Sequence, residues 1–61
     1  MKKYIRAKNI QGRWVGQIIH YEGDRIVVEW TSLECDSKEN AIDSAVEHSE
    51  DMDIDIESIE F

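Results

Sequence analysis

Cys35, His20 and His48 are the residues whose side chains suit metal ligation or nucleophilic attack. No two of them have the spacing of a zinc finger. A Cys–His nucleophilic pair also needs a third group to orient the base, and none stands within reading distance. The run Asp51-x-Asp53-x-Asp55 is similar to the start of a calcium loop, but Ile56 occupies the position where that loop requires Gly. No G-x-S-x-G elbow, phosphate-binding loop or dinucleotide fingerprint is present. A chain of 61 residues can hardly enclose a substrate pocket. The expectation is a protein that is not an enzyme and that holds no metal or cofactor.

Charge is the more informative chemistry. The net charge of −7 divides unevenly along the chain. Residues 1–33 hold six Lys/Arg against three acids, a balance of +3, and residues 34–61 hold Lys38 against eleven acids, a balance of −10. Two fields of opposite sign follow if the halves lie on opposite sides of the fold. Glu39, Asp43, Glu47, Glu50, Asp51, Asp53 and Asp55 then form an acidic surface suited to a basic partner. In the other half, Arg6, Lys8, Arg13 and Arg25 together with Trp14 suit phosphate contacts and base stacking.

The elements that must position these groups centre on a hairpin, Arg13 to Leu33. Gly23-Asp24 makes a two-residue turn with Gly at the first central position, as a type II′ turn requires. That turn sets Glu22 opposite Arg25, Tyr21 opposite Ile26 and Ile19 opposite Val28. Strict alternation then puts Val15, Ile19, Tyr21, Ile26, Val28 and Trp30 on one face. This nearly all-apolar face is the expected seat of the helix. The other face carries Trp14, Ile18, His20, Val27, Glu29 and Leu33. A sheet with one helix leaves one face to water, so an apolar patch of Trp14, Ile18, Val27 and Leu33 there suggests a protein contact or a homodimer.

Tyr4 to Ile10 reads as a first strand turned by Gln11-Gly12, and its basic residues suit a sheet edge. Asp36 with Glu39 three residues on has the pattern of a capping box. The helix then runs over about 37–50, with Ala41, Ile42, Ala45, Val46 and Ser49 on its inner stripe. Glu50 and Asp51 oppose the helix dipole, which predicts fraying at that end. Residues 53–61 alternate acid and apolar, a strand pattern, with a kink near Glu57-Ser58. The fold class is α+β in a single small domain of order β-β-β-α-β, with strands at about 3–10, 13–22, 25–33 and 53–61. Such a chain buries only roughly 60% of its unfolded surface, which favours self-association. No apolar run is long enough to span a membrane, and no hydrophobic leader follows Lys2-Lys3. With Cys35 as its lone cysteine, the expected setting is the cytoplasm, with no membrane partner.

The segments G-R-W-V-G-Q-I, Y-E-G-D-R and S-K-E-N-A-I-D-S-A resemble the arm-type domain of phage integrases and the plant ethylene-response domain. In those families the sheet enters the DNA groove, which implies roles here for Arg6, Arg13 and Arg25. The acidic helix and tail depart from that pattern. The order of elements and the S-x-E-x-A-I opening of the helix also resemble the HicB-type antitoxins, without the Pro/Gly-Cys segment usual before that helix. The layout is further similar to small phage proteins that inhibit a host RNA polymerase. The reading as a whole is a non-catalytic binding module, an inhibitor or accessory protein of phage or mobile-element type. Its acidic helix and tail, imitating nucleic acid, would dock on the nucleic-acid-binding surface of a basic host protein. The alternatives are a sheet-face DNA or RNA binder and an antitoxin.

Overall fold

The computed structural model describes residues 1–61. Its elements are β1 (Tyr4–Ile10), β2 (Arg13–Glu22), β3 (Arg25–Thr31), α1 (Lys38–Asp51) and β4 (Ser58–Glu60). They build one mixed sheet in the order β3-β2-β1-β4, antiparallel throughout except that β4 runs parallel to β1. The expected α+β architecture and element order are those observed.

Both hairpin turns are two residues long and use positive φ. Gln11 (52°) and Gly12 (86°) are both left-handed, the signature of type I′, and the Asn9 side chain accepts from the Gly12 N–H at 3.1 Å. At the second turn Gly23 alone is left-handed (64°), consistent with type II′. Ile10 therefore pairs with Arg13 and Glu22 with Arg25. That register puts Tyr21 opposite Ile26 and Ile19 opposite Val28, as the sequence predicts.

The face that receives the helix is the opposite of the one expected. Ile5, Ile18, Ile42 and Ala45 form the buried cluster, with Ala7, Trp30, Val46, Ile54, Ile56 and Ile59 packed around it. The helix thus lies over the Gly16/Ile18 side, and Ile19 and Val28 point away from it. Gly16 explains the choice. A Cβ built on Gly16 would stand 2.0 Å from the Ala41 carbonyl oxygen, so α1 comes down onto bare backbone there. Small Ala41 and Ala45, both fully buried, complete the close approach.

A bulge at Glu29 in β3 accounts for the rest. The register passes from Ile19↔Val28 to Ile18↔Trp30, so Glu29 is an extra residue. Strict alternation would leave Trp30 beside Val28; the bulge returns it to the helix side. There its indole stacks on His48 with ring centroids 4.0 Å apart and planes 6° apart.

Other expectations shift locally. Strand β1 is not an edge, because β4 pairs with Tyr4–Arg6; only its distal half, with Lys8, remains open. Strand β3 ends at Thr31, and the path to the helix is held by the bridge between Trp14 and Cys35. The N-cap is Ser37, whose hydroxyl accepts from the Asn40 N–H at 3.1 Å, and Asp36 lies one residue outside. The strand expected over 53–61 is confined to Ser58–Glu60, and residues 53–57 form a connection.

The helix stays regular through Asp51 and closes just beyond it. Asp53 turns left-handed at φ 56°, its N–H bonds to the Glu50 carbonyl, and the Ile54 N–H bonds to the Ser49 carbonyl at 2.8 Å. This pair of bonds is a Schellman closure, with Ile54 folded onto the core.

Two changes test these backbone constraints. Gly16→Ala forces the helix off the sheet and is expected to cost roughly 3 kcal/mol in urea unfolding. Asp53→Gly removes a strained left-handed residue and a carboxylate from the helix C-terminus, and is expected to stabilise by about 1 kcal/mol. Unchanged midpoints in these variants would contradict the close approach and the left-handed cap respectively.

Candidate functional site

The seven carboxylates read from the sequence as one surface are all exposed. Glu39, Asp43, Glu47, Glu50 and Asp51 occupy the outer side of α1, opposite the buried Ala41, Ile42, Ala45 and Ser49. Asp53 and Asp55 continue the field into the connection to β4. None of the seven takes part in an ion pair. Three successive spacings, Glu39/Asp43, Asp43/Glu47 and Glu47/Asp51, place like charges four residues apart, each destabilising an isolated helix by roughly 0.2–0.5 kcal/mol.

Trp14, Ile18, Val27 and Leu33 do not form an uncovered patch. Ile18 is fully buried beneath the helix, and Trp14 is half-buried with the Lys38 ammonium 6.0 Å from its ring centroid. Val27 is half-buried on the same side, while Leu33 stands 89% exposed beyond the end of β3. The error is the face reversal caused by Gly16. The side without the helix instead carries Val15 and Ile19, both buried, and the exposed Tyr21, Ile26 and Val28, joined from β1 by Tyr4, Arg6 and Lys8.

That open face is organised across strands. Ile19 is fully buried there, flanked by Tyr4 on β1 and Val28 on β3. Tyr4 and Tyr21 meet edge to face at 5.4 Å, and the Tyr21 hydroxyl donates to Glu60 on β4 at 2.9 Å. That bond, aided by burial, raises the Tyr21 pKa above its ordinary 10.0. Arg6 Nε donates to Gln17 Oε1 at 2.9 Å. Arg6, Lys8 and Arg13 share this face, as the nucleic-acid reading expects, but Trp14 and Arg25 do not. Arg13 also lies 3.6 Å from Asp36, a solvent-exposed pair.

A charged cluster escaped the sequence reading. His20, only 8% exposed, sits between two carboxylates, with Nδ1 2.6 Å from Glu29 Oε2 and Nε2 2.9 Å from Glu22 Oε2. Lys3 Nζ donates to the other Glu29 oxygen at 2.8 Å. Carboxylates only accept, so the form of His20 that satisfies both contacts is the imidazolium, with both ring nitrogens donating. Its pKa is raised, first by the Glu22 hydrogen bond and then by Glu29, against an opposing effect of burial. Lys3 and then His20 hold the Glu29 carboxyl below its ordinary value, again against burial. His20 and Val27 face each other, and Glu29, two residues on from Val27, alternates onto the same side; nothing in the sequence marks the bulge that follows.

The remaining chemistry-bearing residues stay apart. The Cys35 thiol contacts the Leu33 carbonyl at 3.4 Å and the Ser44 hydroxyl at 3.7 Å. No three His, Cys, Asp or Glu side chains are arranged to hold a metal ion. No helix is long and apolar enough to cross a membrane. Comparison with protein-family models, curated proteins and solved structures finds no match for this chain.

The His20 cluster has a defined pH signature. A raised folded-state pKa adds stability that is complete below the ordinary value of 6.5 and is lost as pH rises through the folded value. An NMR titration of His20 is expected to give a midpoint above 6.5, and urea stability is expected to decline over that interval in the native chain but not in His20→Gln. A midpoint at or below 6.5 would mean the two carboxylates do not hold the ring charged.

Proposed function

We propose that this chain is a non-catalytic protein-binding module whose acidic helix row and following loop dock on a basic surface of a partner protein. One observation carries the reading. Seven exposed carboxylates have no cationic partner within the chain, and three of their spacings place like charges where they weaken the helix that bears them. A surface needed only for solubility does not require acids in register on a helix; interspersed Lys would serve and would stabilise it. A basic partner supplies the missing counter-charge. Such complementarity chiefly raises the association rate and selects the partner, and it is screened by salt. An inhibitor or accessory protein of phage or mobile-element type acting on a polymerase subunit, a nuclease or a toxin fits this chemistry, since their nucleic-acid surfaces are basic.

A second reading is favoured by the sidedness of the fold. Arg6, Lys8 and Arg13 lie with Tyr4 on the open sheet face, and the acidic helix row lies behind the sheet rather than beside it. Repulsion of nucleic acid by the acids is therefore weaker than net charge alone implies. Mobility shifts with single-stranded and duplex oligonucleotides at about 0.01 M and about 0.15 M salt decide this reading, and no shift at either ends it.

For the first reading, the triple variant Glu39→Gln, Asp43→Asn, Glu47→Gln is compared with the native chain. It should be at least as stable at low salt, because repulsion within the helix is relieved. Its affinity for a basic protein captured by the native chain should fall about tenfold or more, with a shallower dependence on salt. Equal capture and an equal salt slope would rule out docking through the helix row.

A further inference from the structure

The outer edge of β3 carries a second surface, independent of the acidic row. In the order β3-β2-β1-β4 nothing lies beyond β3. Its segment Arg25-Ile26-Val27-Val28-Glu29 contains neither Lys nor Pro, and the charged residues Arg25 and Glu29 stand only at its two ends. The bulge at Glu29 interrupts the edge only at its far end.

Which backbone groups face outward follows from the hairpin. A two-residue turn makes Glu22/Arg25 a hydrogen-bonded pair, and alternation makes His20/Val27 the next. The same even-numbered residues of β2 point towards this side further along, where Trp14 exchanges both bonds with Cys35 and the Gly16 carbonyl accepts from the Ser32 N–H. Ile26 and Val28 therefore direct their N–H and C=O groups away from β2, to the open edge. Their side chains, 46% and 42% exposed, project on the uncovered sheet face.

We propose that β3 pairs with β3 of a second copy of this chain, antiparallel and centred on Val27. In that register Ile26 lies opposite the partner's Val28, and the two crossings make four backbone hydrogen bonds from groups that have no partner within the chain. Arg25 lies opposite the partner's Glu29, and Glu29 opposite the partner's Arg25, so charge matches at both ends. Arg25 and Glu29 both project on the helix side, as does Val27: Glu22/Arg25 and His20/Val27 are alternate pairs, and Glu29 reaches His20. Arg25 has no ion pair within the chain. The Glu29 carboxylate, bonded once through each oxygen, retains acceptor capacity for a guanidinium. On the open face, Ile26 and Val28 of both copies join into one apolar row. Centring the pair on Val28 would run into the bulge and oppose Glu29 to Val27; centring it on Ile26 would run into the Gly23-Asp24 turn. The two-fold axis stands normal to the sheet, so both helices, with their acidic rows, face the same way from one eight-stranded sheet.

Sedimentation of the full chain over a concentration series tests this, together with cross-linking. The mass is expected to rise from 7.1 kDa towards twice that value with concentration. Val28→Lys places a charge at the edge and touches no β2–β3 hydrogen bond; it should remain monomeric with an unchanged circular dichroism spectrum. In a Cys35→Ser background, Val27→Cys sits on the axis in a non-hydrogen-bonded pair about 4.5 Å apart at Cα, within disulfide reach. It should oxidise to a covalent dimer, whereas Ile26→Cys, displaced from its counterpart, should not. A native chain that stays at 7.1 kDa throughout overturns the proposal. So does a dimer that survives Val28→Lys, or cross-linking that fails to distinguish positions 27 and 26.

Discussion

The approach of α1 to the sheet at Gly16 is the constraint on which the rest depends. With hydrogen in place of Cβ at that one position, the Ala41 carbonyl can rest where a side chain would stand. Ala41 and Ala45 keep the helix low, and Ile5, Ile18 and Ile42 close around the contact. In a chain with 11 buried residues there is no second core to compensate for a looser fit. The seating of the helix decides which sheet face is covered, and so which residues any partner meets.

The bulge at Glu29 is the second determinant, because it turns Trp30 to the other side of the sheet while Glu29 keeps its own. Trp30 passes to the helix side and stacks on His48, adding an aromatic to a core built otherwise from aliphatic residues. Glu29, on the side that alternation gives it, meets His20 and Lys3, where burial would otherwise penalise an isolated histidine. The cluster is thus a structural device that keeps polar groups satisfied at the margin of the core. Its two carboxylates and two cations offset one another, which distinguishes it from the uncompensated acids on α1.

Much of the architecture was legible because turn chemistry is local. Gly23-Asp24 and Gln11-Gly12 fixed both hairpin registers, and the spacing of Ala41, Ile42, Ala45 and Ser49 fixed the helix and its inner side. The choice of sheet face was misread because it was made from the second hairpin alone. Strand β1 held the counter-evidence: Ile5 and Ala7 alternate with Tyr4, Arg6 and Lys8, and they pair with Ile18 and Gly16. The less apolar side of β2 is therefore the one matched by the apolar residues of β1 and by a glycine. The bulge has no comparable mark, so the placement of Trp30 is not legible, whereas His20 and Glu29 share a face by alternation alone. The acidic row was legible because helical periodicity alone places Glu39, Asp43 and Glu47, whereas the supposed patch of Trp14, Ile18, Val27 and Leu33 depended on the face and failed with it.

The fields of the two faces are largely separate at about 0.15 M salt. The Cα framework is 16 Å across its thinnest direction, about two Debye lengths at 0.15 M salt. A molecule approaching the open sheet sees Arg6, Lys8 and Arg13, offset in part by Glu60 and by Asp36 beside Arg13, and one approaching the helix sees chiefly carboxylates. At about 0.01 M salt the Debye length grows to roughly 30 Å, which exceeds that thickness, and the fields merge into one dominated by the net charge of −7. Low salt therefore strengthens the helix row against a basic partner and weakens the sheet face against an anion. The usual rule that low salt favours nucleic-acid binding is blunted in this molecule, because the same dilution that unscreens the phosphates also unscreens the acids behind the sheet.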